Sequence, residues 1–159
     1  MKLPDGTDVA VRPITPNDAA ALVTFHSRLS ADSTRMRFFN PHPHLSSTEV
    51  TWFTDVDHHD RQAYVVMADT VLLGVGRLDR IPDSADAEVA FVVTDERQGQ
   101  GIGTALLMSL ASHARSEGIL RLIADTLCEN HAMIAVFRQS GLPTVRSRDH
   151  GVYHYEITL

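Results

Sequence analysis

The residues best suited to chemistry lie in one run. Glycines stand at the alternate positions 99, 101 and 103, interleaved with Gln98, Gln100, Ile102 and Thr104. Ahead of them, residues 88–93 are apolar and β-branched after the first position, as in a buried strand. Behind them, Leu106, Leu107, Leu110, Ala111 and Ala114 recur at helical spacing. His113 and Arg115 suit the negative end of that helix, and Gly118 its stop. A glycine-rich turn between strand and helix leaves several N–H groups bare where the helix dipole is positive. Such a turn binds an anion, most naturally a phosphate or pyrophosphate. A P-loop would end in Gly-Lys-Ser/Thr, yet Gly103 is followed directly by Thr104. A dinucleotide fingerprint would place its third glycine where Thr104 stands. Asp125 lies about 20 residues on, where a ribose-binding acid would sit, so a nucleotide-dependent enzyme stays open as a reading.

What remains is Q-x-x-G-x-G, read as Gln98, Gly101 and Gly103 between a strand and a helix. This pattern resembles the acyl-CoA-binding motif of the GNAT family of N-acetyltransferases. The resemblance runs along nearly the whole chain. It implies an α/β (α+β) fold, a mixed central β-sheet with helices on both faces, in which residues 1–159 form a single acetyltransferase domain. Asn130, opening a helix that runs into Phe137, Gly141 and Leu142, resembles the family's second CoA-contacting segment. The run from Asp5 to Phe39 resembles the catalytic domain of bacterial protein lysine acetyltransferases, which are often fused to a regulatory domain; none is expected here.

The resemblance implies acetyl-CoA as co-substrate and a primary amine as acceptor, either a protein lysine or a small molecule. Cofactor contacts would come from Gln98, Gly99, Gln100, Gly101, Ile102, Gly103, Thr104 and Asn130. Backbone N–H groups of Phe91, Val92 and Val93 would bind the acyl and pantetheine portion, freed from the ladder by a bulge. Val92 or a neighbour would be the oxyanion donor. Arg138 could reach a CoA phosphate, though a solvated helix face is an equal reading.

Acetyl transfer needs the amine unprotonated. An amine of pKa near ~10.4 is free about once in a thousand molecules at pH 7, so a base must take its proton. Glu88 is the candidate: a charge opening an apolar strand, at the place where the family carries its base. Burial there would raise its pKa. The tyrosine that many members use as general acid is replaced by Phe137, which cannot donate. A thiol of pKa near ~8.5 leaves well without help. Cys128 and Tyr153 are possible substitutes. Phe137 also supports a second reading, an acyl-CoA-binding sensor without turnover.

These groups need a scaffold, and the length of 159 residues, 43% hydrophobic, is enough for one domain with a sizeable core. A net charge of −6 argues against a nucleic-acid surface. No apolar run is long enough to span a membrane, and the single cysteine fits a reducing, cytoplasmic setting. The nine histidines show no metal-binding spacing, so no metal is expected. A monomer or homodimer is expected.

Strands are expected near residues 9–14, 62–68, 71–79, 88–93, 120–126 and 152–159, with a tight turn at Asp69 and Thr70. Helices are expected from Thr15 through Leu29, with Ala19, Leu22 and Val23 facing inward, and over 30–39. A capping box at Ser46 and Glu49 starts another, and Asn130 to Gln139 forms the last. The acceptor pocket is expected from loops at 39–47 and 81–86.

Overall fold

Strand-forming runs joined by tight polar turns dictate antiparallel neighbours, and the sheet begins that way. In the computed structural model, which describes residues 1–159, β1 (Ala10–Pro13), β2 (Arg61–Ala68), β3 (Val71–Arg80) and β4 (Asp86–Val93) pair antiparallel in chain order. Asp69 makes the β2–β3 turn at φ 49°, a left-handed conformation that a short polar side chain tolerates. A crossover through α4 (Ile102–Ser116) then brings β5 (Arg121–Leu127) parallel to β4. With β6 (Thr144–Asp149) and β7 (Val152–Thr158), the mixed seven-stranded sheet has the order β1-β2-β3-β4-β5-β7-β6.

β6 is absent from the expected element order. Every one of its residues is exposed, so no buried face imposes an alternation that the sequence could display. It is an edge strand, held by its hairpin with β7. His150 and Gly151 form the turn, both at positive φ as a type I′ hairpin requires.

Helices cover both faces. α4 and α5 (His131–Gln139) lie on one, where Leu106, Leu107, Leu110, Ala111 and Ala114 enter the larger core with Val89, Phe91 and Phe137. Each fully buried leucine stabilises the fold by roughly 1.5–3 kcal/mol, and truncating Leu107 to alanine should cost about 2–5 kcal/mol. The opposite face carries α1 (Ala19–Arg28), α2 (Ala31–Phe38) and α3 (Ser47–Thr54). Its smaller core gathers Ile14, Leu22, Phe25, Val65 and Val75. Val23, expected inward, is exposed; Phe25 takes the buried position, three residues after Leu22.

The expected capping box forms. Ser46 Oγ accepts the Glu49 N–H and the Glu49 carboxylate accepts the Ser46 N–H, both at 3.1 Å. Ser30 Oγ accepts the Ser33 N–H at 3.0 Å and starts α2. Pro16–Asp18 forms a 3-10 turn leading into α1. The Asp18 carboxylate accepts the Thr15 N–H at 2.8 Å and is gripped by both terminal nitrogens of Arg12.

Candidate active site

β4 and β5 pair only at Asp86–Glu88 against Arg121–Ile123, then diverge. The expected bulge is not what parts them. The β3–β4 register runs unbroken from Gly74–Val93 to Arg80–Ala87, and the sheet's register shift lies instead between β2 and β3, at Val66 and Met67. Side chains from α2 and α5, including Met36, Met133 and Val136, wall the opening beyond. Strand alternation decides which groups face it. The Thr94 N–H donates to the Leu73 carbonyl oxygen at 2.9 Å, so Val92 and Ala90 also turn their N–H groups toward β3. Phe91 and Val93 turn theirs into the gap. The N–H groups that open into the gap are therefore those of Val92's neighbours.

The glycine-rich turn opens on the same space. The backbone N–H groups of Gly99 through Thr104 have no backbone acceptor, and the first bond of α4 is Ala105 N–H to Gly101 oxygen at 3.0 Å. Gly101 takes φ 88°, which turns the chain sharply into the helix and is natural only to glycine. Gln98 Nε2 donates to the Val93 carbonyl oxygen and to Ser33 Oγ, both at 3.3 Å, tying the turn to β4 and α2. Asn130 Oδ1 accepts the Met133 N–H at 3.1 Å and caps α5.

Together these elements enclose a cleft of about 340 Å³. Phe91, Val92, Val93, Gln98, Gly99, Gly101, Gly103, Thr104 and Asn130 all wall it. Gln100, Ile102, Arg138 and Glu88 do not. Gln100 Nε2 donates to the Glu96 carbonyl oxygen at 3.2 Å. The Ile102 side chain is 1% exposed in the core, leaving only its N–H for a ligand. Arg138 is exposed outside the cleft. The Glu88 side chain is exposed and makes no hydrogen bond or ion pair within the chain, so the burial expected of it is missing.

Sequence reasoning missed the contribution of α2, which adds Asp32, Ser33, Met36 and Arg37 to the wall. It also missed Arg97, Glu129 and His131. Of these, Arg97 had a signal, as a cation directly ahead of an anion-binding turn. Its Nη1 holds Asp5 Oδ2 at 2.5 Å and keeps that carboxyl below the usual carboxylate range.

Phe137 is 2% exposed, with ring centroids 4.5 Å from Tyr155 and 6.3 Å from Phe91, so it is core. Cys128 and Tyr153 do not wall the cleft. Nor does Asp125, whose Oδ1 is bonded to His154 Nδ1 at 2.5 Å. That removes the geometric ground for a ribose-binding role. No group of three or more His, Cys, Asp or Glu side chains converges anywhere. No helix is long and apolar enough to cross a membrane.

A family profile described as an acetyltransferase (GNAT) domain matches residues 8–143. The acetyltransferase Pat of Mycolicibacterium smegmatis is 29% identical over 152 residues, 94% of this chain. The chain spans 45% of the length of that curated relative. The crystal structure of the GNAT domain of S. lividans PAT is 39% identical, with a TM-score of 0.91, and covers 100% of this chain and 95% of its own. The structure of yncA from Salmonella typhimurium with its cofactor acetyl-CoA is 18% identical, with a TM-score of 0.74 over 95% of this chain and 92% of its own, a likeness of fold alone. The profile covers the sheet through the splayed β4–β5 pair, the turn and α5, and the chain belongs to the GNAT acetyltransferase family.

Proposed function

We infer that the chain moves an acetyl group directly from acetyl-CoA to a primary amine, on a protein lysine or a small molecule. One observation carries this reading: the free N–H groups of the glycine turn and those of Phe91 and Val93 open into one cleft. The turn and the α4 dipole hold the pyrophosphate. The gap beside β4 receives the pantetheine arm, an extended chain of amides that continues the sheet edge. The Phe91 or Val93 N–H donates to the thioester oxygen as negative charge grows there. Glu88 takes the amine proton, through water because the carboxylate lies outside the cleft. The thiolate leaves without a general acid, which suits Phe137 in the core. The lone free cysteine, Cys128, agrees with work in a reducing cytoplasm.

The exposure of Glu88 and its lack of partners favour a second reading, an acyl-CoA-binding module without turnover. Thiol release from acetyl-CoA, measured with and without lysine peptides and small amines, separates the two. Amine-dependent release is expected, and Glu88→Gln should slow kcat/KM by about 10² to 10⁴ while acetyl-CoA affinity holds. Turnover of Glu88→Gln within a few-fold of wild type would strip Glu88 of the role. Tight acetyl-CoA binding with no amine-dependent release would leave the binding module.

A further inference from the structure

Arg37 stands apart among the arginines. Each of the other buried or half-buried ones places its guanidinium on a carboxylate or carbonyl oxygen: Arg12, Arg35, Arg61, Arg77, Arg80 and Arg97. The guanidinium of Arg37, half-buried on α2, makes neither a hydrogen bond nor an ion pair; its one cation–π contact is with the Phe38 ring, Cζ 4.7 Å from the centroid. The residue borders the cleft, a second cavity of about 50 Å³ on the α1–α3 side of β4 and a third of about 20 Å³ beside Asp125 and Phe137. The second is bounded by α2, α3, β2 and β3, not by the loops expected to form the acceptor pocket.

The second cavity is short of negative charge. Arg37, Arg61 and Arg77 share it with Asp79 alone, and Arg61 Nε already holds Asp79 at 3.2 Å. Arg61 and Arg77 have structural work besides. They donate to the carbonyl oxygens of Trp52 and Phe53 near the end of α3, both at 2.6 Å, and stack on those rings. Burial, then repulsion from Arg37, pushes the Arg77 guanidinium down to about 9, still charged at neutral pH. Asp79 and Glu88 attract Arg37, yet neither comes within ion-pair distance. A surplus of cations in a chain of net charge −6 is not a matter of composition. A guanidinium with idle hydrogen-bond donors at such a place calls for a partner, and its planar fork suits an anion.

No residue of the glycine turn walls this cavity, so the cofactor's phosphates do not reach it. Asp79 is the direct cross-strand partner of Glu88, which puts the cavity beside the proposed base. The volume suits a group of carboxylate size, and the planar fork of arginine matches two coplanar oxygens. We propose that Arg37 and this cavity form a carboxylate subsite for the acceptor, so that the preferred amine carries a carboxylate a few atoms away. The proposal rests on the acetyltransferase reading above. The carboxylate comes either from an acidic side chain beside a protein lysine or from a small amino acid.

Paired acceptors test it: lysine against lysinamide, and lysine peptides with a neighbouring Glu against the same peptides with Gln. Wild type should prefer the carboxylate member by about 10- to 100-fold in kcat/KM, the range of a charge-assisted hydrogen bond. Whichever pair shows the preference names the source. Arg37→Gln should collapse the ratio toward one, and Arg37→Lys, with charge but no fork, should leave it intermediate. An indifferent wild type, or an unchanged ratio in a folded Arg37→Gln variant, would overturn the proposal. A succinyl-CoA preference over acetyl-CoA that vanishes in Arg37→Gln would assign the anion to the acyl group and overturn it too. Titrating the CoA-loaded protein with glutarate gives a readout free of turnover, and Arg37→Gln should weaken binding at least about 10-fold. If no amine is acetylated, the acetyltransferase reading fails by itself. The subsite then stands or falls on whether glutarate binding depends on Arg37.

Discussion

Gly103 sits where the first turn of α4 meets α5. A Cβ built there would stand 2.8 Å from Val136 Cγ2, 3.8 Å from its Cγ1 and 3.9 Å from its Cβ. Carbon atoms prefer about 3.5–4.0 Å, so one methyl is badly overlapped and the others are in ordinary contact. Valine is stiff at χ1, so relief requires α5 to shift. Gly103→Ala should therefore cost about 1–3 kcal/mol, or a fall in Tm of roughly 2–12 °C. Val136→Ala removes the offending methyl and costs about 1 kcal/mol alone, since the side chain is half-buried. The double variant should be no less stable than Val136→Ala, a coupling of about 1–3 kcal/mol by urea unfolding. Both positions wall the cleft, so the acetyl-CoA-induced rise in Tm should return in the double variant as well. Single costs that add within about 0.5 kcal/mol would refute the packing account. Restored stability with lost acetyl-CoA binding would show instead that the methyl blocks the ligand itself.

Gly101→Ala meets no atom within 4 Å, so its cost is conformational, about 1–2 kcal/mol for holding φ 88°. It should re-aim the bare N–H groups and weaken acetyl-CoA at least 10-fold, roughly 1.4 kcal/mol, read by titration calorimetry. Phe137→Tyr buries a hydroxyl beside Phe91 and should lower stability by about 1–3 kcal/mol without raising turnover; a hundredfold gain in rate would show that a general acid was missing. Asp18 is held below the usual carboxylate range by Arg12, against the opposing effect of its burial. Its contribution is complete above the unfolded carboxyl value near ~3.9 and is lost as pH falls through the lower folded value. Asp18→Asn should thus be less stable than wild type by about 1–3 kcal/mol at pH 7, with the gap closing in acid unfolding below about pH 4.

The parts of the site that the sequence shows are those made by neighbours along the chain. The strand, turn and helix around Gly101 are legible because φ preference, capping and helical period are local properties. What covers that turn is not. Ser33 and Arg37 arrive on α2 from some sixty residues earlier, and only the packing of α2 over β4 and β5 brings them there. Gln100 and Ile102 lie inside the motif, but in the turn before α4 the Gln100 side chain folds back onto the Glu96 carbonyl oxygen, and Ile102 opens the helix on its core side. β6 left no trace because a fully exposed edge strand has no face to pattern.

Glu88 is where the local pattern misleads and then instructs. A charge entering an apolar run reads as buried, but the sheet has two faces and the strand alternates between them. Ala87, Val89 and Phe91 face α4 and α5. Glu88, Ala90 and Val92 share their face with cross-strand partners Asp79, Arg77 and Val75, under α1–α3. The cofactor cleft opens through the sheet between the parted strands, whereas Glu88, Arg61 and Arg77 stand to one side of it and Arg37 borders both the cleft and the second cavity. If Glu88 and Arg37 act as proposed, the acceptor comes from the α1–α3 face and meets them before the thioester. On the proposed reading, substitutions at Arg37 and at Glu88 separate charge selection and proton removal from acyl binding, because they leave every backbone donor of the cleft in place.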